Sequence, residues 1–304
     1  MVAFGFQTQH IRVQPYNDAG NLAVYTIGIG SGNQGLTSAQ LAGISSSDLT
    51  AANALLATPA GYYTSYSQTF NVTSRSSGFV NGASDVRNLM NNTYAGYVQD
   101  TWKVRRRVTL NLGLRCDLYG RVDERDSLYL LPVIQNGNAI TTLMSNSTLD
   151  FAGGSAGRPW YNLDRNNFAP NVGLSWDVFG DGKMAVRAGY SINFVNDENI
   201  TTLRNSVTTN SGISASSTKS GLAGRVGSGL TPVVVPTFKV PRTFAENYAL
   251  SSTSAFGMPD PNLRTPYVQQ WSLGIQRQVK DVLVEVRYVA NHATKTFRPS
   301  TSTR

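Results

Sequence analysis

The chain has 304 residues and a formal net charge of +8, yet only 14% of its side chains are charged, against about a quarter in soluble globular domains. With 28 glycines and 10% aromatics, it suits a β protein with many turns and fits a helical enzyme poorly. The single cysteine, Cys116, excludes an intrachain disulfide, and the only two histidines, His10 and His292, are too few and too far apart in sequence for a zinc site.

No apolar run reaches the roughly eighteen residues of a transmembrane helix. The opening segment MVAFGFQTQH has neither the basic region nor the apolar core of a secretion signal. It reads instead as a strand near 2–12. Basic residues are scattered, apart from KVRRR at 103–107, which falls in a turn between two strands. No basic stripe or recognition motif accompanies it, so nucleic acid is not expected as a partner.

Next along the chain comes a long connection, 13–91, rich in Ser, Thr, Asn and Gly. A hairpin follows, with strands near 92–104 and 108–119. In its second strand Val108, Leu110, Leu112, Leu114, Cys116 and Leu118 alternate with Thr109, Asn111, Gly113, Arg115 and Asp117. That period of two fits a strand with one apolar and one polar face, whereas a helix needs apolar residues three and four apart. Asp100 breaks the apolar parity of Tyr94, Val98 and Trp102. A bulge or a position near an interface is expected to absorb it.

A second long connection, 120–167, leads to strands near 168–178 and 184–195, joined by FGDGK. Here Phe168, Val172, Leu174 and Trp176, then Val186, Ile192 and Phe194, are apolar, and Arg187 lies on the opposite parity. A third long connection, 196–265, precedes strands near 266–277 and 282–291. Tyr267, Trp271, Leu273 and Ile275, then Val284 and Val286, are apolar, while Glu285 and Arg287 oppose them. Gln269 is a second blemish, with the same expectation of a bulge or interfacial position.

The expected fold is all-β, an antiparallel sheet of about seven long strands. A soluble β-sandwich also alternates apolar and polar, and one that binds carbohydrate or mediates adhesion is the alternative of a different class. Two features favour a membrane barrel. Soluble strands average about five or six residues, whereas strands of about ten, tilted by roughly 45°, span a bilayer. Connections also alternate short and long, as in outer-membrane barrels with short periplasmic turns and long external loops.

On that reading Val108, Leu110, Leu112, Leu114, Leu118, Val172, Leu174, Val186, Ile192, Leu273, Ile275, Val284 and Val286 face lipid. Arg115, Asp117, Arg187, Glu285 and Arg287 face a wet lumen. Tyr94, Trp102, Tyr119, Phe168, Trp176, Phe194 and Tyr267 form interfacial aromatic girdles.

YAGYVQDTWKVRRRVTLNLGLRCDLYGRVDERDSLYLLP, NNFAPNVGLSWDVFGDGKMAVRAGY, TPYVQQWSLGIQRQV and VEVRYVANHATK together resemble the barrel region of TonB-dependent outer-membrane transporters, most closely the Oar-like group. Tyr97, Gln99, Asp100 and Trp102 match the family's Y-x-Q-D-x-W strand, and Leu110–Arg115 its next strand. Cys116 stands where the family usually has an aromatic. The resemblance implies a barrel of about twenty-two strands, of even number like other large bacterial barrels. It also implies an N-terminal plug, a large ligand bound at external loops, and energy from the inner-membrane TonB complex. Signal peptide, plug and terminal aromatic strand are not recognised here, so an internal piece of a longer barrel is expected. A passive porin, lacking plug and energy coupling, is a further alternative.

No catalytic, cofactor or metal residues are expected, and no enzyme. DERD, 123–126, is expected to be a solvated loop start rather than a calcium site, which needs several spaced oxygen ligands. GDGK, 180–183, lacks the flanks of a phosphate loop and reads as a turn. Asn71, Asn91, Asn146 and Asn199 head sequons that mean little in a bacterium. No G-x-S-x-G is present for a hydrolase. First guesses for ligand contact are the loop segments NDENITTLRN, 196–205, and VPRTFAENYALSS, 240–252, because specificity concentrates on loops held by a rigid scaffold.

Overall fold

The computed structural model describes residues 2–195, 199–250 and 252–298. Seven long strands form one antiparallel sheet: β1 Val2–Val13, β2 Leu89–Arg105, β3 Val108–Tyr119, β4 Asn167–Asp177, β5 Met184–Phe194, β6 Tyr267–Val279 and β7 Val282–Thr294. They pair in sequence order, each with its predecessor and successor. A short segment, Asp123–Glu124, adds to β2 opposite Leu89 and Met90. A twelve-residue strand is about 40 Å long and, tilted by roughly 45°, rises about 28 Å, close to the thickness of bilayer hydrocarbon.

The register explains the alternation. Trp102 pairs with Leu110, Leu110 with Leu174, Leu174 with Ala188, Ala188 with Leu273, and Leu273 with Tyr288. Three residues along the strands, Gln99, Gly113, Asn171, Ser191, Gln270 and Asn291 form a continuous polar row on the other face. A slip of one residue anywhere would push a whole apolar set onto the polar side.

Asp100 and Gln269 are not absorbed by bulges. Pairing runs unbroken through both, and the only irregularity among the wall pairs lies between Lys103 and Arg105. Gln269 sits near the start of β6, where its side-chain oxygen accepts a hydrogen bond from the Tyr190 hydroxyl at 3.2 Å. Asp100 stays on the apolar face between Val2 and Leu112.

The long connections are only partly irregular. They hold four helices, α1 Ser46–Ala60, α2 Ala139–Met144, α3 Asn199–Val207 and α4 Phe244–Leu250. They also hold small sheets. One surrounds Tyr62–Asn71, with Val24–Ile27, Ser214–Lys219 and Gly224–Arg225 as neighbours. Another has three strands, Arg242–Thr243, Thr148–Ala152 and Tyr129–Pro132. A two-strand pair joins Tyr16–Asn17 to Asp85–Val86.

The buried core sits in these connections. Tyr129, Leu131, Trp160, Leu203 and Val207 form one cluster, and Leu128, Leu130, Leu149, Phe151 and Phe244 another. The run Leu128–Leu131 is therefore buried on both faces and splits alternately between the two clusters. In the wall the situation is reversed. Phe4, Leu114, Leu273 and Val286 are exposed, and among the described residues no second sheet packs on their face. The sandwich alternative, which needs two apolar faces to cover each other, is set aside.

Candidate functional site

Strict alternation on long, unbroken strands divides the wall into two working surfaces. All thirteen residues expected to face lipid share one face, as do Tyr94, Trp102, Phe168, Trp176, Phe194 and Tyr267. Tyr119 is a correction. It pairs with Thr93, one residue beyond the Tyr94–Leu118 pair, so it falls on the polar parity. Its hydroxyl points across that face to the Phe194 carbonyl at 3.4 Å. It belongs to the polar surface and not to a girdle.

Arg115, Asp117, Arg187, Glu285 and Arg287 lie on the polar face, and each has a partner there. The Arg115 guanidinium donates to Asp117 at 2.9 Å and to Gln7 Oε1 at 3.0 Å. Arg187 donates to Gln276 at 2.9 Å, and Arg287 to Glu285 at 2.6 Å. Thr101 donates to Asn111 at 2.9 Å. Two ion pairs, Arg115–Asp117 and Arg287–Glu285, and the Arg187–Gln276 bond thus hold these groups laterally, the arrangement expected of a surface that faces water. Tyr97 is on this face too, its ring lying over Gly5, where a Cβ would come within 2.6 Å of it.

At the long-connection end of the polar face lies a cavity of about 370 Å³ lined by Gln7, Gln9, Thr93, Arg115, Asp117 and Tyr119. It presents an ion pair, two primary amides and a phenol, groups that suit a hydroxylated or charged solute. The sequence pointed to Arg115 and Asp117 but missed Gln7 and Gln9. Their signal was available, since both occupy the same parity of β1 as Gly5, opposite Phe4 and Phe6.

DERD, 123–126, is a fastening and not a ligand site. The Asp123 carboxylate accepts the Gly154 N–H, at 2.8 and 2.9 Å to its two oxygens. Glu124 is fully buried and accepts the backbone N–H groups of Leu128, Asn88 and Asp126 at 2.6, 2.8 and 3.1 Å. Burial pushes its pKa up, against the pull of the Leu128 and Asn88 amides. Asp164 accepts from Arg264 at 2.8 Å and from the Thr265 N–H at 3.0 Å. Burial would raise its pKa, but those two partners outweigh it and hold it below the usual value. This contact ties the chain just before β4 to the chain just before β6. GDGK is a turn, with Gly180 and Gly182 at φ of 80° and 74° and their N–H groups bound by Asp177.

The two segments expected to contact ligand are not free loops: each enters a helix that buries a few side chains and leaves others exposed. Residues 196–198 of the first lie outside the described residues. The remainder enters α3, whose Leu203 is buried in the core. The second carries Phe244 into the other cluster; its Ser251 also lies outside the described residues. Thr243 and Glu246 form a reciprocal cap at the start of α4: the Glu246 carboxylate accepts the Thr243 N–H at 2.8 Å, and the Thr243 hydroxyl accepts the Glu246 N–H at 3.3 Å. Apolar residues at positions 203 and 244 are what ordinary loops lack.

An open, strongly alternating wall with short turns at one end and a folded cap at the other defines a segment of a membrane-spanning β-barrel. The model of the outer membrane beta barrel domain family matches residues 1–301, so the chain belongs to that family and to the outer membrane. Comparison with curated proteins returns no match.

Proposed function

We propose that this chain forms part of the wall and the external cap of an energised outer-membrane transporter or receptor, TonB-dependent and Oar-like, that takes up or holds a large ligand. The observation that carries the reading is the continuous polar face, with its lateral ion pairs and hydrogen bonds, running up the wall to a cavity at its long-connection end. The Y-x-Q-D-x-W strand at Tyr97–Trp102 supports the narrower assignment by resemblance. The face of Leu112, Val172 and Leu273 meets lipid, and the polar face meets water and solute. The work is binding and passage, not bond-making chemistry. Its partners are outer-membrane lipid, a large ligand and, through the resemblance, the TonB energy-coupling complex.

Uptake of labelled siderophores, glycans and oligopeptides by cells carrying the protein tests this. Accumulation that stops when TonB is inactivated is the expected result. Accumulation that persists without TonB would make the barrel a passive porin.

A further inference from the structure

The basic run at 103–107 is used neither by the cap nor by the polar face. Because adjacent strands are antiparallel, the turns β2–β3, β4–β5 and β6–β7 all lie at one end of the wall. Backbone hydrogen bonds weld them together: Asp177 N–H to the Arg107 carbonyl at 2.8 Å, and Gln278 N–H to the Lys183 carbonyl at 2.7 Å. The first turn region carries Lys103, Arg105, Arg106 and Arg107. Lys183 follows in the second, and Arg277 and Lys280 in the third. All are exposed, and none belongs to an ion pair among the described residues.

The acids nearby, Asp177, Asp181 and Asp281, offset them only in part, three carboxylates against seven cations. Asp177 is bound to the Gly180 and Gly182 N–H groups, and Asp181 to the Lys183 N–H. Two of the cations share the apolar face. Arg105 pairs with Val108, and Arg277 with Met184 and Val284. Trp102 and Trp176 stand on the same face close by. With strands about 4.8 Å apart, Arg105 and Arg277 are roughly 19 Å from each other along the edge of the belt, with Lys183 between them.

We infer that this rim binds the headgroups of anionic phospholipids in the membrane leaflet at the short-turn end. The inference rests on the reading of the apolar face as lipid-facing. Long cationic side chains at the end of an apolar belt reach into the headgroup layer while their stems stay on hydrocarbon. Juxtamembrane cations gain most from a negatively charged surface, and the gain decays within a Debye length of about 8 Å at physiological salt.

The test uses the whole chain with Trp271→Phe, which leaves Trp102 and Trp176 as the tryptophans at this end and Trp160 buried in the cap. It is reconstituted in phosphatidylcholine vesicles containing a small, equal fraction of either brominated phosphatidylglycerol or brominated phosphatidylcholine. Tryptophan quenching should be several-fold stronger with the brominated anionic lipid. That ratio should fall to about one in 1 M salt, where the Debye length is about 3 Å. It should fall likewise in Arg105→Gln/Arg106→Gln/Arg107→Gln/Arg277→Gln/Lys280→Gln, and persist in the cap control Arg75→Gln/Lys219→Gln. A ratio near one in the parent overturns the inference and leaves the lipid belt standing. No quenching by either lipid overturns both.

Discussion

Glu124 shows what a single side chain decides. One buried carboxylate satisfies the N–H groups of Asn88, Asp126 and Leu128, so it pins the base of the cap to the top of β2. Glu124→Ala leaves those donors unmet, and at about 1–3 kcal/mol for a buried unsatisfied group the cap should lose roughly 3 kcal/mol, read as faster limited proteolysis of residues 120–160. The pH signs of Glu124 and Asp164 are opposite. Glu124 has a folded pKa above 4.5, so the folded cap binds the extra proton, and this group's contribution falls as pH rises from 4.5 through the folded value. Asp164 has a folded pKa below 3.8; its contribution is present above 3.8 and is lost as pH falls through the folded value. Glu124→Gln should abolish the first dependence and spare the second in a pH series of cap melting temperatures.

At the scale of elements, the strand face is the unit. Leu112 and Asn111 are neighbours on β3 but occupy opposite faces, so the same substitution separates the two. Leu112→Arg should cost about 2–4 kcal/mol toward the bilayer midplane and prevent stable insertion, whereas Asn111→Arg should insert normally. Heat-modifiable mobility of the barrel that contains this wall checks both, and equal behaviour of the two variants would contradict the assigned faces. β1 is an edge strand held on one side by β2, and Gly5 gives the Tyr97 ring room to lie on it. Gly5→Val places carbon where that ring sits, so β1 should protect its amides less from hydrogen exchange while β4–β6 stay unchanged. α3 and α4 follow another logic, since their stability comes from Leu203, Val207 and Phe244 docking into the cap and not from length.

For the molecule as a whole, apolar burial is divided unusually: the buried clusters lie in the cap, while the wall displays its apolar face. Cap and wall should therefore respond independently. Leu130→Ala, at a fully buried position, should destabilise the cap by about 2–5 kcal/mol without altering insertion of the wall, measured as cap proteolysis against protease resistance of the strands. Sidedness is open to the same kind of test. In a Cys116→Ser background, a cysteine placed at Arg75 in the cap should react with an impermeant maleimide on intact cells, and one at Asp181 in a turn only after lysis.

The strands were legible because alternation is a local property: Val108–Leu118 and Val282–Tyr288 announce their faces with no knowledge of a neighbour. Short turns were legible for the same reason, through Gly180, Gly182 and the charges around them. Arg115 and Asp117 were legible as polar-face residues, yet Gln7 was joined to them only by β1–β2–β3 pairing across about a hundred positions of sequence. The cap was not legible. Its strands are two to six residues long apart from Tyr62–Asn71, and its core is assembled from separated pieces such as Leu128–Leu131, Phe151, Leu203 and Phe244. Composition rich in Ser, Asn and Gly masked those pieces as loop. The sequence alone therefore determined a two-faced wall, because side-chain period is written residue by residue. Only the tertiary structure decided that the connections fold into a cap, that DERD is a fastening and that three basic turns make one rim, because each depends on which distant segments become neighbours.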